Sequence, residues 1–268
     1  MKFNKLAILA LLLFFASDAF GWGRLGHCTV AEIAERHLTP KAKANIERYT
    51  GGTPLSKYAV FMDEVAKTPP YDQALRGWHA SIADANCKST VAVRSEHRKS
   101  RDGVTAMEQF AKELRNRDNL SDSTVLCAIK CIIHIVGDFH CPAHVRYTDC
   151  NNSGNEKVTF YGKPKTKYHK IWDSGVISHG RKLKAGDHVK YANMLDTYSK
   201  KEIKAVQKDW AKEWFEDAAR TVRPTIRTVK SGDSLDEEWV QSQLPMGEEL
   251  LQKAGYRLAK ALNTIFAK

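Results

Sequence analysis

The sequence predicts an all-α fold: a single mostly helical domain with one short β-hairpin-like insertion. Three observations predict it. Apolar residues recur at helical spacing through most of the chain. Only residues 148–162 have strand and turn character. No internal repeat, low-complexity segment or linker divides the 268 residues, a length that suits one large core.

The elements follow in order. Residues 29–38 put Val30, Ile33, Ala34 and Leu38 on one helix face. Thr39-Pro40 opens a second helix, because proline's fixed φ and missing N–H suit the first helical position, and Gly51-Gly52 closes it. Residues 55–87 are mixed, with a break at Thr68-Pro69-Pro70. Residues 103–117 form an amphipathic helix. Ser121 or Asp122 caps a long apolar helix through Val136, and Pro142 marks its end or a kink. In the insertion, residues 151–155 make a turn and 158–161 a short strand. Residues 200–222 and 235–267 are long helices, the second interrupted by Pro245.

The first residues have the pattern of a signal peptide. Lys2 and Lys5 precede the apolar run 6–15, too short to span a bilayer as a helix, and small residues follow at Ala19 and Gly21. The expected division is a signal peptide over 1–21 and a mature domain over 22–268; cleavage after Ala19 fits the same pattern. The chain is expected to be exported, to a periplasm or outside the cell, and to act as a soluble monomer. Its net charge of +11 favours polyanionic partners such as nucleic acid or anionic headgroups, although basic charge also serves solubility alone. The cysteines Cys28, Cys87, Cys127, Cys131, Cys141 and Cys150 predict disulfides in an exported chain, and six cysteines allow fifteen pairings. No CxxC pair supports a zinc–cysteine site.

Ligand-type residues stand where a buried helix should be apolar. His134 and Asp138 are four apart in an otherwise apolar run, so they share a helix face. Burying an imidazole and a carboxylate there is costly unless each has a partner, either the other or a metal ion. His169 and Asp173 repeat the spacing, and His144 lies between the pairs. Imidazole and carboxylate without thiolate is the donor mix of a hydrolytic zinc site. Trp22 stands at the expected mature terminus, five residues before His27. A free α-amine and the carbonyl oxygen of one residue can chelate an ion together. Asp63 and His79 are further candidates. His37, His97, His179 and His188 read as surface or turn residues, and His140 as a partner of the ligands. The six tryptophans read mostly as packing.

These motifs, in this order from Trp22 to Asp173, resemble the zinc-dependent, single-strand-preferring nucleases of the S1/P1 type. The resemblance implies their all-α fold, shared with zinc-dependent phospholipase C, and three zinc ions. One would be held by Asp63, His79, His134 and Asp138. The second would take His144, His169 and Asp173. The third would take Trp22 through its amine and carbonyl, with His27, and Asp138 would bridge to the first. It also implies cleavage of RNA and single-stranded DNA to 5′-phosphorylated products, with Asp63 orienting the attacking water and Asn155 near the phosphate. The chain departs from the usual pattern at Phe61-Met62, Ala66, Ile82, Cys141 and Ala143. Phospholipase C is the nearest rival, but its first histidine lies farther from the terminal Trp and its last ligand is typically Glu. A zinc-storage protein would carry exposed His-rich tracts, which this chain lacks.

Overall fold

The computed structural model describes residues 22–66, 68–69, 75, 77–90, 102–150, 154–226 and 228–268. The expected signal peptide, Pro70, His97 and positions 151–153 of the expected turn lie outside the described residues.

Helix α1 (Arg24–Arg36) begins five residues before the expected start at 29. No side chain caps it. Its entry is fixed instead by the Gly23 N–H, which donates to the Asp173 carbonyl, a partner that local sequence cannot reveal. The earlier start puts His27 inside the helix, on its buried side. Helix α2 (Pro40–Thr50) opens as expected, with the Thr39 side chain accepting from the Ala42 N–H, and closes on Gly51 at φ 59°. A short helix α3 (Phe61–Val65) carries Asp63.

Strand β1 (Ser81–Ala83) pairs in parallel with β2 (Val145–Tyr147), tying the segment after His79 to the segment after His144. Helix α4 (Gly103–Arg115) leads to α5 (Asp122–Asp138). Of the two candidate caps, Ser121 serves α5: its hydroxyl accepts from the Thr124 N–H at 3.3 Å. A 3-10 turn, Pro142–His144, follows where Pro142 forbids continuation.

The expected hairpin forms, but not around the expected turn. Strands β3 (Lys157–Phe160) and β4 (Lys163–Lys167) are antiparallel, and the chain reverses at Tyr161 and Gly162, at φ 46° and 74°. Two left-handed residues in succession make the tight connection whose twist matches a hairpin. The Lys-Pro-Lys-Thr-Lys sequence of β4 lacks apolar alternation, so it carried no strand signal. A two-residue strand, β5 (Ser234–Leu235), runs parallel to β3.

Helix α6 (Tyr168–Lys170) widens into a π turn, Ile171–Gly175, and continues as α7 (Val176–Arg181). Helix α8 (His188–Leu195) follows. The single helix expected over 200–222 is two, α9 (Lys200–Val206) and α10 (Ala211–Val222). Asp209 at φ 67° and extended Trp210 break it, and the reversal lets buried Trp214 donate from its indole to the Lys208 carbonyl at 2.8 Å. Pro245, by contrast, does not interrupt α11 (Glu237–Ile265). A mid-helix proline costs about 3 kcal/mol. Buried Leu244 on one side and Leu250 and Leu251 on the other anchor both flanks and outweigh it.

The core lies between α11 and the helices packed along it, chiefly α1, α7 and α5. A Cβ on Gly255 would come within 2.6 Å of the Ile33 side chain, so glycine lets α1 and α11 close. This packing places α1, α5 and the π turn side by side. Trp22, Trp172 and Trp214 are fully buried in it. Among the described residues no helix is long and apolar enough to cross a membrane, and Cys28, Cys87, Cys127, Cys131 and Cys141 form no disulfide with one another.

Candidate metal centre

Side chains from five separate segments meet where these elements converge. Asp138, the last residue of α5, is at the middle and wholly buried. Its Oδ2 lies 2.9 Å from His79 Nδ1, 3.2 Å from His134 Nε2 and 3.9 Å from His144 Nδ1, and its Oδ1 is 3.3 Å from His27 Nε2. Asp63 Oδ1 approaches the same group, 3.6 Å from His134 Nε2 and 3.9 Å from His79 Nδ1. On the other side, Asp173 Oδ1 lies 3.5 Å from His169 Nε2 and 3.9 Å from His144 Nε2.

The imidazoles are held from behind. His134 Nδ1 donates to the Ala59 carbonyl at 2.8 Å, and His144 Nδ1 donates to the His79 carbonyl. A carbonyl can only accept, so in each ring an N–H at Nδ1 faces the backbone and Nε2 is the nitrogen turned toward the carboxylates. His144 Nε2, both nitrogens of His27 and Asp138 Oδ1 are buried without a well-formed hydrogen bond. The His27 ring stacks on His134 with centroids 4.1 Å apart. Gly137 makes room for it, since a Cβ there would stand 2.6 Å from His27 Nδ1. Gly154, at φ 70°, likewise lies against His169 and accepts the His169 N–H at its carbonyl.

The electrostatics match a ligand set. Burial, with neighbouring imidazoles, pushes His27 and His144 down to about 3, and burial with nearby Arg146 pushes His169 down to about 4. All three are neutral at pH 7, the form that binds a metal. Burial also opposes charge on His134, but Asp138 and Asp63 beside it prevail and hold it up at about 9. Against its own burial, Asp138 is held well below the carboxylate range by His134 and His144. Three groups have donor atoms mutually within 4.8 Å: His27, Asp63 and His134; His79, His134 and Asp138; and Cys141, His144 and Asp173.

Residues 22–267 match the S1/P1 Nuclease family over almost the whole described chain. The chain belongs to the S1/P1 nuclease family. Among its relatives it is 29% identical to "Nuclease S1" of Aspergillus oryzae, with 97% of each chain aligned. It is 25% identical to "Endonuclease 2" of Arabidopsis thaliana, over 97% of this chain and 95% of the relative. With "Nuclease P1" of Penicillium citrinum the identity is 26%, over 91% and 97%. Membership favours a nuclease, a hydrolase of phosphodiester bonds, over the phospholipase C alternative.

Within this S1/P1 nuclease, Asp63, His79, His134, Asp138, His144, His169, Asp173 and His27 are brought together. Trp22 is fully buried beside them, its neighbour Gly23 bonded to the Asp173 carbonyl. Asn155 is exposed, next to Gly154 and so one residue from the backbone that touches His169. His140 corrects an expectation, for it does not support the ligands. Its Nδ1 donates to the Val136 carbonyl and its Nε2 accepts from Arg257, both at 2.8 Å, so it joins α5 to α11 on the far side. His37 sits half-buried against Asp196 at the end of α1, and His179 stacks on Tyr161 at the surface. Cys141 and Arg146 were missed. Nothing in the spacing distinguished Cys141 from a disulfide cysteine, and Arg146 is one basic residue among many until β2 carries it toward His169.

Proposed function

We propose that the mature chain is a zinc-dependent endonuclease that cuts RNA and single-stranded DNA to 5′-phosphorylated products, with 3′-nucleotidase activity at the same centre. The observation that carries this reading is Asp138, a fully buried carboxylate with four imidazoles within 3.9 Å. Such a cluster is costly in a protein interior unless cations hold it together. The donor set fits zinc: imidazoles, two of them anchored at Nδ1 by backbone carbonyls, with carboxylates between them.

Three ions fit the residues. Asp63, His79, His134 and Asp138 would hold one. His144, His169 and Asp173 would hold another. His27 and the amine and carbonyl of Trp22 would hold the third, with Asp138 shared. Bound zinc supplies water acidic enough to ionise near neutral pH and positive charge for the phosphoryl oxygens. The protein's own groups do the rest. Asp63, with 9% of its side chain exposed against 0% for Asp138 and 1% for Asp173, faces solvent most, so it orients the attacking water and takes its proton. Asn155, exposed beside the His169 contact, holds the phosphate. In-line attack at phosphorus expels the 3′-oxygen and leaves the phosphate on the 5′ side.

The substrate class agrees with the charge. Lys163, Lys165, Lys167 and Lys170 line one open groove beside the π turn, and a basic groove attracts a phosphate backbone. Residues 1–21 are removed on export, which frees the Trp22 amine; the family match begins at this residue. The chain acts as a monomer. The test is a substrate panel run beside elemental analysis of the mature chain. Rapid cleavage of single-stranded DNA and RNA, little turnover of phosphatidylcholine and three zincs per chain are expected. Preferential turnover of phosphatidylcholine, or full activity with one zinc, would overturn the reading.

A further inference from the structure

We infer that the Cys141 sulfur is a further protein ligand of the ion held by His144 and Asp173, a soft thiolate donor in a centre otherwise built from imidazole and carboxylate. The inference rests on the metal-binding reading above. Cys141, His144 and Asp173 are all buried, and their donor atoms lie within 4.8 Å of one another. Donor atoms on one tetrahedral zinc stand about 3.5 Å apart, given Zn–S near 2.3 Å and Zn–N near 2.0 Å. A shared ion would draw the three donors from within 4.8 Å to about that spacing.

The backbone prepares the arrangement. Cys141 leads directly into the 3-10 turn Pro142–His144, and its N–H donates to the Asp138 carbonyl at 3.0 Å. Its carbonyl accepts the His144 N–H at 2.9 Å, so sulfur and imidazole are carried by one rigid turn. His144 Nδ1 is committed to the His79 carbonyl, while Nε2 is buried, has no hydrogen bond, and faces Asp173 Oδ1 at 3.9 Å. That nitrogen is the independent sign that something binds here. Other cysteines have different surroundings. Cys28 donates to the Ser56 carbonyl, Cys127 and Cys131 interact one helical turn apart, and Cys87 and Cys150 are near Arg223.

Two consequences follow. With His169 added, this ion has four protein donors, the closed set typical of a structural zinc, so the water is activated chiefly at the Asp63 side. The thiolate also raises preference for soft ions such as cadmium. Coordination releases the thiol proton to solvent.

X-ray absorption at the zinc edge of the zinc-loaded mature chain tests this directly. A sulfur shell at about 2.3 Å is expected, equivalent to one sulfur among all bound zincs. It should vanish in Cys141→Ser at unchanged zinc count, and cadmium should lose about tenfold or more of its advantage over zinc in competition. Should Cys141→Ser fail to fold, the wild-type spectrum decides alone. Nitrogen and oxygen shells only, or a sulfur shell that survives Cys141→Ser, overturn the inference while leaving the zinc reading intact. A mature chain that binds no zinc overturns both.

Discussion

Gly137 shows how one residue governs the centre. It precedes Asp138 in α5, and its missing Cβ is where His27 of α1 lies. In an exposed helix, replacing glycine with alanine would stabilise by roughly 1 kcal/mol. Here the added carbon would stand 2.6 Å from His27 Nδ1 and 2.9 Å from Cε1, against a ring that is itself buried. The clash outweighs the helix gain. Gly137→Ala is expected to lower thermal stability and to cost about 10- to 100-fold in zinc affinity at the His27 position. Unchanged zinc content together with a raised melting temperature would show that the ring has room to move. His134 and Asp138 themselves were legible in the sequence, because a four-residue spacing on a helix leaves little choice of direction. The need for a glycine at 137 was not legible, because His27 reaches it from another helix.

At the scale of elements, α1 joins the centre to the core, and two expectations depend on it. The first concerns its N-terminal approach. If the Trp22 amine is a ligand, retaining Gly21 converts it to an amide, a poor donor at neutral pH, and leaves that ion only His27 and Asp138. Protein keeping Gly21 should hold about one zinc fewer per chain and lose most of its activity, at a near-normal circular dichroism spectrum. Equal zinc and equal cleavage of single-stranded DNA in the two forms would exclude the amine. The second concerns the contact of α1 with α11. Gly255→Ala would drive a carbon to 2.6 Å from Ile33 Cγ2 and 2.7 Å from its Cβ, inside the buried core. A loss of about 1–3 kcal/mol is expected on overpacking, read from denaturant melts. A neutral effect would mean that the helices separate freely. The early start of α1 could not be read locally, because its entry is fixed by the Asp173 carbonyl rather than by a cap in sequence.

For the whole molecule, the buried histidines set the pH response once metal is removed. His27, His140 and His144 have folded values of about 3, below the ordinary 6.5. The unfolded chain binds their protons first, so stability is full above about pH 6.5 and falls as pH drops toward 3. His134 has the opposite sign. At about 9 when folded, it contributes fully below 6.5, and that contribution is lost as pH rises through 9. Melting curves of the chelated protein should therefore peak near neutral pH and fall on both sides. Zinc should raise the whole curve and flatten its alkaline limb, because the ion replaces the proton on His134. A chelated protein whose melting temperature is constant from pH 4 to 9 would contradict this.

The sequence by itself determined the mostly helical class, the cap at Thr39, the start of α5 at Ser121 or Asp122, and most residues of the centre. Caps and the i, i+4 pairs His134–Asp138 and His169–Asp173 are local, so their chemistry is written within a turn of chain. The break at Asp209, the unbroken passage of α11 through Pro245 and the second lysine-rich strand were decided by packing that propensity does not encode. The same holds for direction. His140, between Asp138 and His144 in sequence, turns away to Arg257, while Cys141 turns inward to His144 and Asp173. Adjacent residues at the end of a helix point to different sides, and only the elements packed around them determine which side faces the histidine and aspartate cluster.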